Sequence, residues 1–169
     1  MKSFALSFIL ILGIIFTGCS KKSDVDYMDV ANKSIKQNNI SKAVESYQTL
    51  LKEYPHSHEA PDAMFRLATL YQNKLVKNIS EKESLEKAVS LFEELNTKYS
   101  GSKIAPKALF MSGFVLANDI RDFNRATAVF RKFIRIYPNN ELTSSAREEL
   151  NNMGMTPAEI LEKKQDSKS

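Results

Sequence analysis

Apolar residues recur along most of the chain at spacings of three and four, which is typical of amphipathic α-helices. The clearest example runs from Ala126 to Tyr137, where apolar residues stand at 126, 129, 130, 133, 134 and 137. Because a helical turn takes about 3.6 residues, these positions form one apolar stripe. The period-2 alternation of a half-buried strand is almost absent. The pattern therefore predicts an all-α protein.

The helical pattern also repeats. The segment 60–65, APDAMF, recurs 45 positions later as APKALF at 105–110. Each copy has an alanine 11 residues before a tyrosine and an aromatic residue 7 residues before it; the three sets are Ala43, Tyr47 and Tyr54; Ala88, Phe92 and Tyr99; and Ala126, Phe130 and Tyr137. Self-similarity of this kind predicts stacked structural repeats.

Each copy is predicted to hold two helices joined by a polar turn. A small residue in the first helix, at Ala31, Ala68 or Gly113, lets the second helix approach closely. Proline at 55 and 138 stops the second helix. The middle copy carries an insertion of about seven residues near 75–84, and Ser80 is predicted to cap its second helix.

These features resemble the tetratricopeptide repeat over about residues 25–150. That motif has a small residue in the first helix, an alanine and an aromatic residue in the second, and a proline 12 residues after the alanine. Ala43 to Pro55 and Ala126 to Pro138 keep this distance, whereas the middle copy has Ser100 at the proline position. The resemblance implies a short α-solenoid of antiparallel helix pairs that binds proteins or peptides.

The N-terminus has the composition of a secretory signal peptide. Lys2 precedes an apolar stretch at 4–16, which is too short to span a bilayer, since a spanning helix needs about 20 residues. Phe16-Thr17-Gly18-Cys19 resembles the bacterial lipobox, which implies cleavage and attachment of diacylglycerol to Cys19. The alternative is a plain signal peptide followed by a chance cysteine. Cys19 is the only cysteine, so the chain forms no internal disulfide.

The sequence predicts five segments: a signal peptide at 1–18, lipidated Cys19 with a tether at 19–25, a repeat domain at 26–153, a short C-terminal helix at 154–163 and a disordered tail at 164–169. Gly154 is a plausible helix stop. Thr156, followed by proline and then by Glu159, is a helix-start signal.

The composition predicts a binding protein without a cofactor, rather than an enzyme. A net charge of +4 gives little reason to expect nucleic acid as a partner, and five scattered glycines form no phosphate-binding loop. His56 and His58 are the only histidines, and their spacing could serve a metal, but no second group of ligands accompanies them. Exposed loop histidines are therefore the favoured interpretation, and no metal site is predicted.

In the tetratricopeptide family the first helix of each pair lines a concave groove. The resemblance places the following residues in such a groove: Asn32, Lys36, Phe65, Thr69, Gln72, Phe110, Phe114 and Asn118. Aromatic rings beside amides suit an extended peptide, because rings cover apolar side chains and amides reach the peptide backbone. The alternative is that Phe65 and Phe110 belong to the core between repeats.

A narrower resemblance concerns cellular role. The lipobox, together with the segments 54–57 (YPHS) and 59–63 (EAPDA), is similar to the tetratricopeptide lipoprotein of the outer-membrane β-barrel assembly machinery. This resemblance implies an outer-membrane anchor facing the periplasm and partners in a multi-subunit envelope complex. Ser20, which stands where inner-membrane lipoproteins of enteric bacteria have Asp, favours the outer membrane. The alternative is an envelope scaffold in cell division, like the Tol-associated repeat protein, or in secretion.

Overall fold

The computed structural model describes residues 22–166, and this part of the chain is helical without a strand. The predicted signal peptide, Cys19 and residues 167–169 lie outside the described residues. The helices are α1 (Asp24–Lys36), α2 (Ile40–Glu53), α3 (Ala60–Gln72), α4 (Glu81–Lys98), α5 (Ala105–Phe114), α6 (Phe123–Ile136), α7 (Thr143–Asn152) and α8 (Pro157–Asp166), with a π-helical segment, Val115–Ile120, directly after α5. The predicted all-α class is confirmed.

Each of the helices α1 to α7 packs against its neighbours in sequence, which is the packing of a solenoid. The hairpins α1–α2, α3–α4 and α5–α6 stack in order, and α7 covers the far side of α6. The predicted small positions Ala31, Ala68 and Gly113 are buried between paired helices. The predicted short α-solenoid of helix pairs is therefore confirmed.

The loops that join one pair to the next share one hydrogen-bond pattern. In each loop the tyrosine carbonyl accepts the N–H three residues on, and that residue's carbonyl accepts the N–H three residues further on, at 2.8 to 3.3 Å. The sets are Tyr54, Ser57 and Ala60; Tyr99, Ser102 and Ala105; and Tyr137, Asn140 and Thr143. The middle loop keeps the pattern with Ser100 at the proline position, so the turn does not depend on proline.

The three tyrosines also tie each pair to the chain before it. The Tyr54 hydroxyl donates to the Lys22 carbonyl at 2.6 Å, and the Tyr99 hydroxyl donates to the Pro55 carbonyl at 2.9 Å. The Asn96 amide donates to the Tyr137 hydroxyl at 2.6 Å and to the Ala105 carbonyl. We call this side of the solenoid, formed by Lys22 and the loops 54–59, 99–104 and 137–142, the loop edge.

The turns inside the three pairs lie at the opposite edge. A left-handed residue, at Asn38, Lys74 or Arg121, ends each first helix with a φ of 56 to 62°. A side-chain oxygen then caps each second helix by accepting a backbone N–H three residues on; the caps are Asn39, Ser80 and Asp122. The predicted start of α4 after Ser80 is confirmed.

Glycine at one of these left-handed positions should stabilise the protein. Because a Cβ is strained at positive φ, we expect Lys74→Gly to raise the free energy of unfolding by about 0.5–1 kcal/mol. The lost ion pair between Lys74 and Glu81, 3.3 Å long and exposed, changes little. Urea denaturation gives the measurement.

The matched control for Lys74→Gly is Lys82→Gly, which puts glycine inside α4. Helical φ/ψ gives glycine no steric advantage there, and its backbone entropy should cost about 0.5–1 kcal/mol. A loss of stability at both positions would contradict the argument from left-handed backbone.

Both ends of the described chain differ from the predicted boundaries. A capping box between Ser23 and Asp26 starts α1 at Asp24, so the last residues of the predicted 19–25 tether are helical. At the other end α8 continues to Asp166, beyond the predicted end at 163. The helix starts at Pro157, where Thr156 and Glu159 cap each other, rather than at 154.

The π-helical segment has a cause in sequence spacing. The small residue of the first helix and the alanine of the second stand 12 apart in the first pair, at 31 and 43, but 13 apart in the third, at 113 and 126. One residue inserted into a helix is commonly absorbed as a π-bulge, which widens the turn and leaves both flanking faces in place. Here the Arg121 N–H accordingly bonds to the Leu116 carbonyl, five residues back.

Candidate functional site

Phe65 and Phe110 occupy the same repeat position, and both are half-buried at the border of the core. The ring of Phe65 packs 5.2 Å from the ring of Phe92, which is fully buried. Phe110 packs in the same way on Phe130, at 5.5 Å, and on Phe133. Each ring thus packs on the core and is partly exposed on its other side.

In the middle pair the predicted groove residues make contacts within the protein. The Lys107 ammonium of α5 lies 5.2 Å from the centre of the Phe65 ring, within cation–π range. The Thr69 hydroxyl donates to the Phe65 carbonyl at 2.9 Å. Gln72 is half-buried in the last turn of α3. Phe65 therefore supports the packing of α5 on α3 and α4.

In the first pair Asn32 serves a core tyrosine. Its side-chain carbonyl accepts the hydroxyl of fully buried Tyr47 at 3.1 Å. Burial raises the pKa of Tyr47, and Arg66 nearby opposes that rise. Asn32 thus gives the buried phenol a hydrogen-bond partner, while Lys36 stands exposed in the last turn of α1.

In the third pair two predicted residues, Phe110 and Asn118, line the same cavity of about 730 Å³. We call it the C-terminal cavity. It lies between α5 with its π-helical segment, the start of α6, and α7 with the chain leading into α8. Phe114, also predicted, is half-buried on the same helix, and its carbonyl accepts the Asn118 amide at 3.2 Å. The structure thus brings together the third-pair residues of the predicted set.

Most of the C-terminal cavity comes from residues that sequence reasoning did not select. Its apolar lining adds Phe123, Met153, Met155 and Ile160, and its polar lining adds Arg121, Ser145, Glu148, Glu149 and Asn152. The Arg121 guanidinium lies 5.8 Å from the centre of the Phe123 ring. Gly154 and Thr156 are the two added lining residues that carried a sequence signal, and Gly154, with φ +79°, turns the chain back beside Phe123.

Capping shapes the C-terminal rim of this cavity. The Thr156 N–H donates to the Glu159 carboxylate at 2.6 Å, and the Thr156 hydroxyl donates to the same oxygen at 2.8 Å. These bonds favour the charged carboxylate and lower the pKa of Glu159. The Lys163 ammonium also donates to the Asn151 carbonyl, so α8 is attached to the end of α7.

The two histidines lie elsewhere, at the loop edge. His56 and His58 are exposed and line a cavity of about 890 Å³ between the first two inter-pair loops. No group of three or more His, Cys, Asp or Glu side chains suited to a metal occurs between residues 22 and 166. Over the same range no helix combines the length and apolar character needed to cross a bilayer.

Comparison with protein families identifies the repeat. The model of the tetratricopeptide repeat matches residues 34–57, which cover the first hairpin from the end of α1, and residues 107–140, which cover the third. The chain contains tetratricopeptide repeats. Such repeats are typically non-enzymatic modules for protein–protein interaction, and no catalytic family is identified. Comparison with curated proteins finds no match.

The hairpin α3–α4 lies outside the family match but shares the local structure of the two matched hairpins. It has the loop hydrogen bonds and the tyrosine tie of its neighbours. The difference is its longer turn, residues 73–80, between first and second helix. The two helices of this hairpin are linked across the insertion, since the Ser84 hydroxyl of α4 donates to the backbone carbonyl of Tyr71 in α3 at 2.7 Å.

The C-terminal cavity lies where the tetratricopeptide array ends. Thr143 of α7 takes the loop position that Ala105 takes in α5, and Thr143 and Ala146 are the buried residues of α7. Helix α7 therefore packs on α6 in the way that α5 packs on α4. The chain turns at Gly154 directly after it, so the cavity has a wall of repeat helices on one side and the start of α8 on the other.

Proposed function

We propose that this protein is a lipoprotein anchored in the outer membrane, facing the periplasm, that acts as a non-enzymatic adaptor for proteins or extended peptides in outer-membrane protein assembly. The observation that carries the adaptor role is the C-terminal cavity at the end of the repeat array. The proposed compartment rests on the lipobox-like residues that end at Cys19.

The lining of the C-terminal cavity suits a peptide. Phe110, Phe123 and Met153 provide apolar surface, and burying the apolar side chains of a peptide contributes about 25 cal/mol per Å². Methionine adapts its shape to different side chains. At about 730 Å³ the cavity falls within the usual size of binding pockets, about 300–1,000 Å³.

The polar lining can hold an extended backbone. Asn118 and Asn152 offer amide donors and carbonyl acceptors, which match the N–H and C=O groups of a peptide. The π-helical segment, Val115–Ile120, ends directly before Arg121, so it lies beside this polar lining. π-Bulges are frequent at functional sites, which supports this end of the array as the binding position.

A crosslinking pulldown from the outer-membrane fraction tests the proposal. The cavity variant Asn118→Ala/Met155→Ala removes one amide and one 40% exposed methionine. Because neither side chain is part of the core, we expect an unchanged circular dichroism spectrum and at least tenfold less co-purified partner. Barrel-assembly subunits or barrel precursors should be the partners recovered with the native protein.

The control is Asn73→Ala/Leu75→Ala, which also removes an exposed amide and an apolar side chain, 42% exposed, but in the turn of the second pair, outside the lining of the cavity. It should recover the native amount of partner. Equal recovery with the cavity variant would show that the C-terminal cavity is not the binding position. Recovery of division or secretion proteins would leave the adaptor role and disprove the role in barrel assembly.

A further inference from the structure

We propose that the C-terminal cavity selects peptide segments that carry a lysine or an arginine beside an apolar residue. The basic side chain lies over the ring of Phe110, and the apolar residue contacts Phe123 and Met153 in the same lining. This inference rests on the proposed peptide binding in that cavity and adds the chemistry of the occupant. It follows from a comparison of two phenylalanine rings at one repeat position.

The ring of Phe65 shows what covers this repeat position inside the protein. The ring packs on the buried ring of Phe92 at 5.2 Å. The Lys107 ammonium, which comes from α5 of the next pair, lies 5.2 Å from the centre of the Phe65 ring. That distance is within cation–π range. The first of the two rings therefore already has a cation from the chain itself.

The loop hydrogen bonds show which residue corresponds to Lys107 one helix pair later. The backbone N–H groups of Ala105 and Thr143 each donate to the carbonyl three residues back, at 3.1 and 3.0 Å. Lys107 follows Ala105 by two residues, and Ser145 follows Thr143 by two. Ser145 of α7 therefore corresponds to Lys107 of α5.

Phe110 thus meets a serine where Phe65 meets a lysine. The core contacts of the Phe110 ring resemble those of Phe65, since it packs on Phe130 at 5.5 Å and on Phe133 at 5.9 Å. Phe110 and Ser145 both line the C-terminal cavity. A serine side chain is uncharged and too short to reach over a ring as a lysine does. The half-buried ring consequently borders the cavity at the place where a cation from a partner can bind it.

The charges around the cavity favour a cation as the occupant. Among the described residues that line it, Glu148 and Glu149 are acids and Arg121 is the base. The Arg121 guanidinium lies on an aromatic ring of α6, 5.8 Å from its centre. On the rim, Glu159 and Lys163 of α8 contribute one charge of each sign. A partner's base therefore finds an aromatic ring and carboxylates in one cavity, where partial burial strengthens the attraction.

Selection from a random heptapeptide library displayed on phage tests the preference. The target is the full lipidated chain in detergent micelles, and peptides that also bind the cavity variant Asn118→Ala/Met155→Ala are discarded. We expect lysine and arginine to be enriched at least threefold at one position, next to an apolar residue. Enrichment of aspartate and glutamate, or no charge preference, would overturn the inference.

Ser145→Lys tests where the cation binds. The introduced side chain supplies from α7 the contact that Lys107 supplies from α5, so it should cover the Phe110 ring. We expect it to weaken the binding of a selected basic peptide at least tenfold, measured by fluorescence anisotropy, with an unchanged circular dichroism spectrum. The control is Ser144→Lys, which adds the same charge at an exposed neighbour outside the lining and should change the affinity less than twofold. Equal weakening by both variants would contradict a site at Phe110.

A change in the peptide completes a double-mutant cycle with Ser145→Lys. Replacing the peptide's base by glutamine should weaken binding to the native chain at least fivefold. The same replacement should change binding to Ser145→Lys less than twofold, because the ring is then already covered. Additive effects of the two changes would show that the base lies away from this position, and the placement would be wrong.

The library selection also distinguishes this inference from the proposed function. A library that yields no cavity-dependent peptide contradicts peptide binding at the proposed site and overturns this inference with it. Cavity-dependent peptides without a basic residue overturn only this inference and leave the proposed function standing.

Discussion

Phe130→Ala should lower the free energy of unfolding by about 3–5 kcal/mol, a large part of the stability of a domain of this size. Phe130 is fully buried in α6, where its ring contacts the Phe110 ring and lies against Gly113. Removing it leaves a cavity among α5 and α6 that the packed helices cannot fill by small shifts. Urea denaturation followed by circular dichroism measures the change.

Ile136→Ala is the control for Phe130→Ala, because it truncates an apolar side chain of the same helix that is 45% exposed. Its effect should stay within about 0.5 kcal/mol. Similar losses from the two variants would show that the burial of the Phe130 ring against α5 is not what makes its truncation costly. The buried variant should also weaken partner recovery, since Phe130 supports the ring of Phe110 at the C-terminal cavity.

Gly113→Ala should destabilise the protein by about 1–3 kcal/mol, although alanine is the better helix former by about 1 kcal/mol. A Cβ at this position would lie 2.9 Å from Cε1 of Phe130 and 3.1 Å from two further ring atoms. The ring is held by the core and by Phe110, so the two helices must separate to make room. Thermal and urea unfolding give the measurement.

Two further variants test the cause of the Gly113 effect. Gly101→Ala adds a methyl group with nothing within 4 Å and should cost no comparable stability. In a Phe130→Leu background the ring is absent, so Gly113→Ala should cost less than in the native chain, and a double-mutant cycle measures the difference. Strict additivity would disprove the contact between the added methyl group and the ring.

Much of the repeat architecture could be predicted from sequence because local patterns determine it. The apolar stripe of α6 fixes which face is buried, and Ala126, Val129, Phe130 and Phe133 are its buried residues. The left-handed turn residues and the caps at Asn39, Ser80 and Asp122 act within four residues of the chain. Such signals need no knowledge of distant contacts.

The predicted groove was less accessible from sequence because it depends on how pairs stack. Phe65 and Phe110 share a repeat position, yet Lys107 faces the first ring, whereas the second borders the C-terminal cavity. The lysine belongs to the next repeat, so spacing within one repeat cannot place it. Asn32 likewise depends on a contact with Tyr47, 15 residues away on another helix.

The π-helical segment was not predicted, although the spacing from 113 to 126 contained the signal. Hydrophobic periodicity alone does not reveal one inserted residue, because the buried residues on either side of the insertion stay on the same face of the helix. Comparing the spacing between the small residue and the alanine across the repeats reveals the insertion. The edge of the C-terminal cavity therefore coincides with the one place where the third pair departs from the spacing of the first.

The tyrosine ties at the loop edge have a mechanical consequence. The hydroxyl bonds of Tyr99 and Tyr137 cross between successive pairs on that side, and the Tyr54 hydroxyl holds the chain entry at Lys22, so the loop edge is the more firmly connected side of the solenoid. Bending that leaves these bonds intact opens the solenoid at the opposite edge. A partner could change the curvature of the array there while the side nearest the chain entry keeps its shape.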